Sequence, residues 1–158
     1  MDEDEVDIEE VETEEEIAQR EREEKRQQLE IDQNNYNNAI GAYTDELNKS
    51  CAQKEQWERF RNDIQSVIDK LNYAKAEGNT ANNQLLAAYE SVISRKKSDE
   101  LTEKENQIQD IINKLQNPIL TSIDNKINNI NNDINRWQAE ISSAQNVLSD
   151  LNNQLDTL

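Results

Sequence analysis

The sequence predicts an all-α protein: a long antiparallel helical hairpin or coiled coil, with a three-helix bundle as the alternative. Three observations carry this. The 158 residues include only two Gly and one Pro, too few to punctuate a sheet or an α/β fold. The hydrophobic fraction is 34%, with Ile, Leu, Val and Phe numbering 34 in all, so little apolar surface exists to fill a conventional core. These scarce residues recur at alternating steps of three and four, which lays them along one narrow stripe of a helix.

The first element is acidic. Residues 1–30 hold 15 acidic and 4 basic side chains, so most of the net charge of -17 lies there. From Asp2 to Glu16 there are 11 carboxylates and no cation, Glu3, Asp4, Glu5, Asp7, Glu9 and Glu10 among them. A block of like charge repels itself and stays solvated, which predicts a disordered tail over residues 1–14 and an elongated helical coiled-coil domain over 15–158. Beyond Glu14 the mixture becomes compatible with a helix, and Glu16/Arg20 and Glu21/Lys25 form i,i+4 pairs worth about 0.2–0.5 kcal/mol each. The tail suits capture of a basic protein or mimicry of nucleic-acid charge, and its simpler role is solubility.

A first apolar stripe reads Trp57, Phe60, Ile64, Val67, Leu71, Ala74, Gly78, Ala81, Leu85, Ala88 and Val92. Upstream, Tyr36, Ile40, Tyr43, Leu47, Ser50 and Lys54 continue it with weaker residues. The two successive steps of three at 54–57–60 would overwind the supercoil locally. The small residues Ala74, Gly78 and Ala81 would permit close helix approach, or mark a break.

Three places carry turn signals. Gly78-Asn79-Thr80 offers a C-terminal glycine and N-cap residues, predicting a turn near 78–82. Arg95-Lys96-Lys97 followed by Ser98-Asp99-Glu100 sets cations in a last turn, a capping serine and acids in a first turn, predicting one near 95–99. Asn117-Pro118 offers an N-cap and an N1 proline, or a kink if the helix continues. The turn at 95–99 gives two arms of similar length, the hairpin. The turn at 78–82 gives the three-helix bundle.

The last element carries the strongest pattern. Leu120, Ile123, Ile127, Ile130, Ile134, Trp137, Ile141, Ala144, Leu148, Leu151, Leu155 and Leu158 alternate three and four without exception, flanked by Asn, Gln, Ser and Asp. Each such residue supplies about 1.5–3 kcal/mol once covered by a partner helix. This seam, Leu120 to Leu155 above all, is the predicted partner-binding surface. Trp57 and Trp137 both fall on stripes, which assigns them to packing.

Composition also excludes chemistry. With no His there is no imidazole base and no His metal ligand, and a single cysteine, Cys51, forms neither an intrachain disulfide nor a zinc cluster. There is no Gly-rich phosphate loop and no EF-hand loop. No catalytic constellation is present, so the expectation is a non-enzyme without cofactor or metal. The apolar runs are far shorter than the ~20 residues of a membrane span. The acidic start opposes a cleaved signal peptide, so the protein is expected in the cytoplasm, or exported without such a signal. Nucleic-acid binding is disfavoured, since the one basic cluster, Arg95-Lys96-Lys97, already has a capping role.

A short acidic chain of paired helices containing Tyr73-Ala74-Lys75-Ala76-Glu77, which fits a Tyr-x-x-x-Asp/Glu motif, resembles the small helical proteins of Gram-positive type VII secretion. These are the WXG-type substrates and the helical partners of LXG toxins. The W-x-G motif itself is absent: Trp57 is followed by Glu58-Arg59 and Trp137 by Gln138-Ala139. The resemblance implies secretion or toxin escort through helix pairing. From the residues alone, the leading expectation is a coiled-coil adaptor or assembly protein that pairs with itself or with a helical partner. An acidic, phage-type scaffold or chaperone that captures a basic protein with its tail is the further alternative.

Overall fold

The computed structural model describes residues 13–88 and 92–158. They form α1 (Glu14–Ala88), α2 (Val92–Lys114), a six-residue π-helical segment (Leu115–Leu120) and α3 (Thr121–Asp156), with no strand among the described residues. The protein is all-α, and α1 packs against the returning arm as a hairpin. The chain divides into two compact units, Leu47–Arg136 and Met1–Glu46 with Trp137–Leu158.

Helix α1 starts on a capping box. The Thr13 backbone N–H donates to Glu16 Oε2 at 2.8 Å, and the Glu16 N–H donates back to Thr13 Oγ1 at 3.3 Å. Two backbone donors that a helix start leaves unsatisfied are thereby paired. The carboxylate of Glu16 is held below its ordinary range by the Thr13 backbone N–H first and the Thr13 hydroxyl second. Residues 14–28 are all exposed, and Leu29 is the first buried side chain. The predicted tail over 1–14 falls, up to residue 12, outside the described residues.

In the Leu47–Arg136 unit the helices run antiparallel. Asn82 donates to Thr102 Oγ1 (3.4 Å), Asn79 to Glu105 (2.9 Å) and Lys75 to Gln109 (2.7 Å), each pair centred on residue 92. Pairs that separate along the chain while keeping one midpoint belong to two arms of a hairpin. The core of this unit is Ile68, Ile112, Leu120 and Ile123, with Trp57, Ile64, Leu71, Ile108, Leu115 and Ile127 packed on it. In the other unit Gln33 donates to Asn152 (2.6 Å) and Tyr43 stacks on Trp137 with ring centroids 5.9 Å apart, the same antiparallel sense. Both tryptophans therefore serve packing.

Two of the three turn signals behave otherwise than the sequence suggests, and the third takes its continuing-helix alternative. Gly78, Asn79 and Thr80 lie inside α1, and Gly78 has no positive φ, so the C-terminal glycine cap does not form. The three-helix alternative that required it does not arise. Arg95 to Glu100 lie inside α2, where Ser98 is buried rather than capping. The described part of α1 runs to Ala88 and that of α2 from Val92, so the expected turn at 95–99 falls within a helix. In both cases the helix continues through a local stop signal worth about 1 kcal/mol, and its covered stripe runs on to Leu85 in α1 and Leu101 in α2. Pro118 lies inside the π-helical segment and neither begins a helix nor ends one.

That segment corrects a mismatch in spacing. The covered stripe entering it runs Ser98, Leu101, Glu105, Ile108, Ile112 and Leu115, in steps of three and four with Gln109 half-buried beside it; the next is Leu120, a step of five. A π turn inserts one residue into a helix, which lets the covered stripe resume at Leu120 and run on through Ile123 and Ile127. Its wider turn also accommodates a proline, whose ring collides with the preceding turn of an α-helix. Ile119, which a regular helix would have turned inward, is exposed instead.

Candidate interaction surface

The stripe on α1 is one residue away from its predicted course over half its length. Phe60, Val67, Ala74 and Ala81 are exposed, and Ala88 and Val92 lie outside the described side chains. The covered stripe runs Leu47, Ser50, Lys54, Trp57, Arg61, Ile64, Ile68, Leu71, Lys75, Gly78, Asn82 and Leu85, with Gln65 half-buried beside it. Its steps alternate three and four throughout, so there is no overwound step at 54–57–60. The prediction kept Trp57, Ile64, Leu71, Gly78 and Leu85 but took their apolar neighbours in place of Arg61, Ile68, Lys75 and Asn82. Polar residues in an inward column are invisible to a search for apolar spacing.

Arg61, Lys75 and Asn82 each have a partner across the pair. Arg61 Nε donates to Asp124 Oδ1 at 2.6 Å, Lys75 to Gln109, and Asn82 to Thr102. The Asn82 Oδ1 is buried without a partner among the described residues, a cost of about 1–3 kcal/mol for that atom. Both side chains of the Arg61–Asp124 pair remain over two-fifths exposed, so the pair contributes about 0.2–1 kcal/mol and serves chiefly to fix register. Beside it Glu58, Asn62, Ile127 and Asn128 border an open groove of about 620 Å³. Its lining holds amides and carboxylates and no nucleophile.

These bonds share one flank. The covered stripe of each helix has two columns; call the first Arg61, Ile68, Lys75 and Asn82 on α1, matched by Ser98, Glu105 and Ile112 on α2 and by Leu120 and Ile127 beyond. Residues four beyond the first column border it on one flank; residues one before it border the second column on the opposite flank. Arg61–Asp124, Lys75–Gln109, Asn79–Glu105 and Asn82–Thr102 each join the first column of one helix to the residue four beyond it in the other. They tie one flank only.

The opposite flank carries exposed apolar side chains. Phe60 (46% exposed), Val67 (44%), Ile111 (48%) and Ile119 (37%) all stand one residue before the first column. In an antiparallel pair these positions face one another, Val67 level with Ile119 and Ala74 with Ile111. Lys104 and Lys126 occupy the same column at its two ends, with Lys70 and Lys114 on the outer edges. All four lysines are exposed, and none has an ion-pair partner among the described residues.

The predicted site residues fall as follows. Leu120, Ile123, Ile127, Ile130 and Ile134 are buried or half-buried in the Leu47–Arg136 unit. Trp137, Ile141, Leu148, Leu151 and Leu155 are buried or half-buried in the other. The chain thus covers this seam with its own helices. Asp2, Glu3, Asp4, Glu5, Asp7, Glu9 and Glu10 lie outside the described residues. Cys51 is exposed, and Lys97 of the basic cluster pairs with Glu100 at 3.5 Å. Among the described residues no group of three or more Cys, Asp or Glu is placed to hold a metal ion, and no helix is long and apolar enough to cross a membrane. The capping box at Thr13 was legible as Thr-x-x-Glu; the apolar flank was legible only once the polar column was known. Compared with protein-family models, curated proteins and solved structures, the chain matches none.

Proposed function

We propose that the protein is a non-enzymatic adaptor or assembly element that associates with itself or with a helical partner through the flank bearing Phe60, Val67, Ile111 and Ile119. One observation carries this reading: four large apolar side chains share one flank of the pair while the bonds that fix the pair occupy the other. Contiguous apolar surface of this kind is a mark of interaction sites. The Leu120–Leu155 seam serves the hairpin itself, and an outside helix would have to displace α1 to reach it. The coiled-coil spacing of three and four supports helix pairing as the mode of recognition.

The test is quantitative binding. A protein captured from the native host and then purified should bind the chain carrying V67E and I111E about tenfold more weakly than the unaltered chain, with helix melting unchanged. Equal affinity for both chains would sink the flank reading.

A second reading has its own support. Tyr73 is exposed on α1 and its hydroxyl donates to Glu77 Oε1 at 3.0 Å, so the Tyr-x-x-x-Glu motif is presented on an open helix face. On this reading the protein is a helical partner or substrate of type VII secretion. Expressed in a Gram-positive host with that system, the chain should reach the medium and the Y73A chain should not. Equal export of both argues against it.

A further inference from the structure

We propose that the occupant of the lysine-framed apolar flank is the acidic N-terminal segment, residues 2–17, of a second copy of this chain. The proposal rests on the interaction role assigned to that flank and names what fills it. Charge chooses the occupant. The flank collects Lys70, Lys104, Lys114 and Lys126, none with an ion-pair partner among the described residues, and the Lys97–Glu100 pair, against the further carboxylates Asp63 and Glu77 on its outer edge. It is a locally basic surface on a chain whose net charge is -17. Two such flanks would not pair with each other, since their lysines would meet. A segment with 11 carboxylates, no cation and the apolar residues Val6, Ile8, Val11 and Ile17 complements both the rim and the centre.

Availability points the same way. Residues 14–28 of α1 are exposed throughout, so the helix leading out of the segment is not covered within its own chain. Phe60 and Val67 lie on that same helix, which is unbroken from Glu14 to Ala88, so the occupant is taken from another molecule. Two copies that exchange segments reciprocally close into a dimer; a one-way exchange would propagate.

Light scattering on the full-length chain across a concentration series tests this. The chain should dimerise, and the dissociation constant should rise about tenfold between about 0.1 M and about 1 M salt, where the screening length falls from about 10 to about 3 Å. Deleting residues 2–12, which spares the Thr13–Glu16 cap, should abolish the dimer. K104E with K126E should weaken it about tenfold, and a synthetic peptide of residues 1–17 should compete with it. A monomer at every concentration overturns the proposal, as does a salt-sensitive compaction that does not depend on concentration. A dimer lost with V67E and I111E but retained after the deletion also overturns it. That last outcome leaves the flank standing as an interaction surface with a different occupant.

Discussion

The two flanks of the Leu47–Arg136 unit are built from the same two helices and do opposite things. On one, Arg61, Lys75, Asn79 and Asn82 reach across to Asp124, Gln109, Glu105 and Thr102. On the other, Phe60, Val67, Ile111 and Ile119 reach nothing comparable and remain exposed. The difference separates holding the fold from offering a surface. Hydrogen bonds at inward polar positions specify which residues lie level, at little net gain in stability. Apolar side chains that are not needed for that purpose are then free on the far side.

Several outcomes would sharpen or break this division. Among single truncations the largest effect is expected between the flanks, where Ile68 and Ile112 are 0% and 1% exposed. Ile112→Ala should cost about 2–5 kcal/mol in urea unfolding. A loss no larger than that of an exposed alanine substitution would mean the core lies elsewhere.

Next comes the inserted residue. Deleting Pro118 turns the step of five between Leu115 and Leu120 into a step of four. The π segment should become α-helical, and stability should hold or rise by up to about 3 kcal/mol, the cost of a proline inside a helix. Deleting Asn129, in an uninterrupted part of α3, should instead unfold the chain by turning every later seam residue off the stripe. If both deletions are equally damaging, the segment is not a spacing correction.

A smaller gain is expected at Gly78. A Cβ built there meets nothing within 4 Å, and the residue has no positive φ. Gly78→Ala should therefore stabilise by about 0.5–1 kcal/mol through helix propensity alone. Destabilisation would show that close approach of the helices requires the glycine.

The smallest effect is local. Glu16 has its carboxylate pKa lowered from 4.5 by the Thr13 hydrogen bonds. A lowered folded-state pKa gives stability that is present above the ordinary carboxylate value and lost as pH falls through the lowered one. Amide-exchange protection factors at residues 14–18, taken relative to intrinsic rates, should fall below that range and stay constant with pH in a Glu16→Gln chain. An equal fall in both chains would place the cap's pH response on another carboxylate.

The comparison of flanks also explains what could be read from the residues alone. The all-α hairpin was legible because an apolar residue stands at every three-and-four step from Leu120 to Leu158. Its partner stripe was only half legible. In α1 the second column, Trp57, Ile64, Leu71 and Leu85, is apolar enough to be seen. The first column mixes Ile68 with Arg61, Lys75 and Asn82, while Phe60 and Val67, one residue away, supply a better apolar rhythm that belongs to the surface. The turn signals at Gly78 and Ser98 misled for a related reason: each is a local preference of about 1 kcal/mol, set against burial that only the folded pair reveals. Phe60 and Val67 fall on the stripe that apolar spacing predicts and so read as core, while Ile111 and Ile119 lie on no stripe that the spacing reveals.

The adjacent residues Val67 and Ile68 decide the matter most directly, since the account places one on the open flank and the other at the centre of the core. Urea unfolding of Val67→Asp and Ile68→Asp, measured side by side at a concentration where the unaltered chain is monomeric, should leave the first within about 0.5 kcal/mol of the unaltered chain and leave the second unfolded or nearly so. The reverse order, with Val67→Asp the damaging change, would contradict both the inward polar column and the surface proposed opposite it.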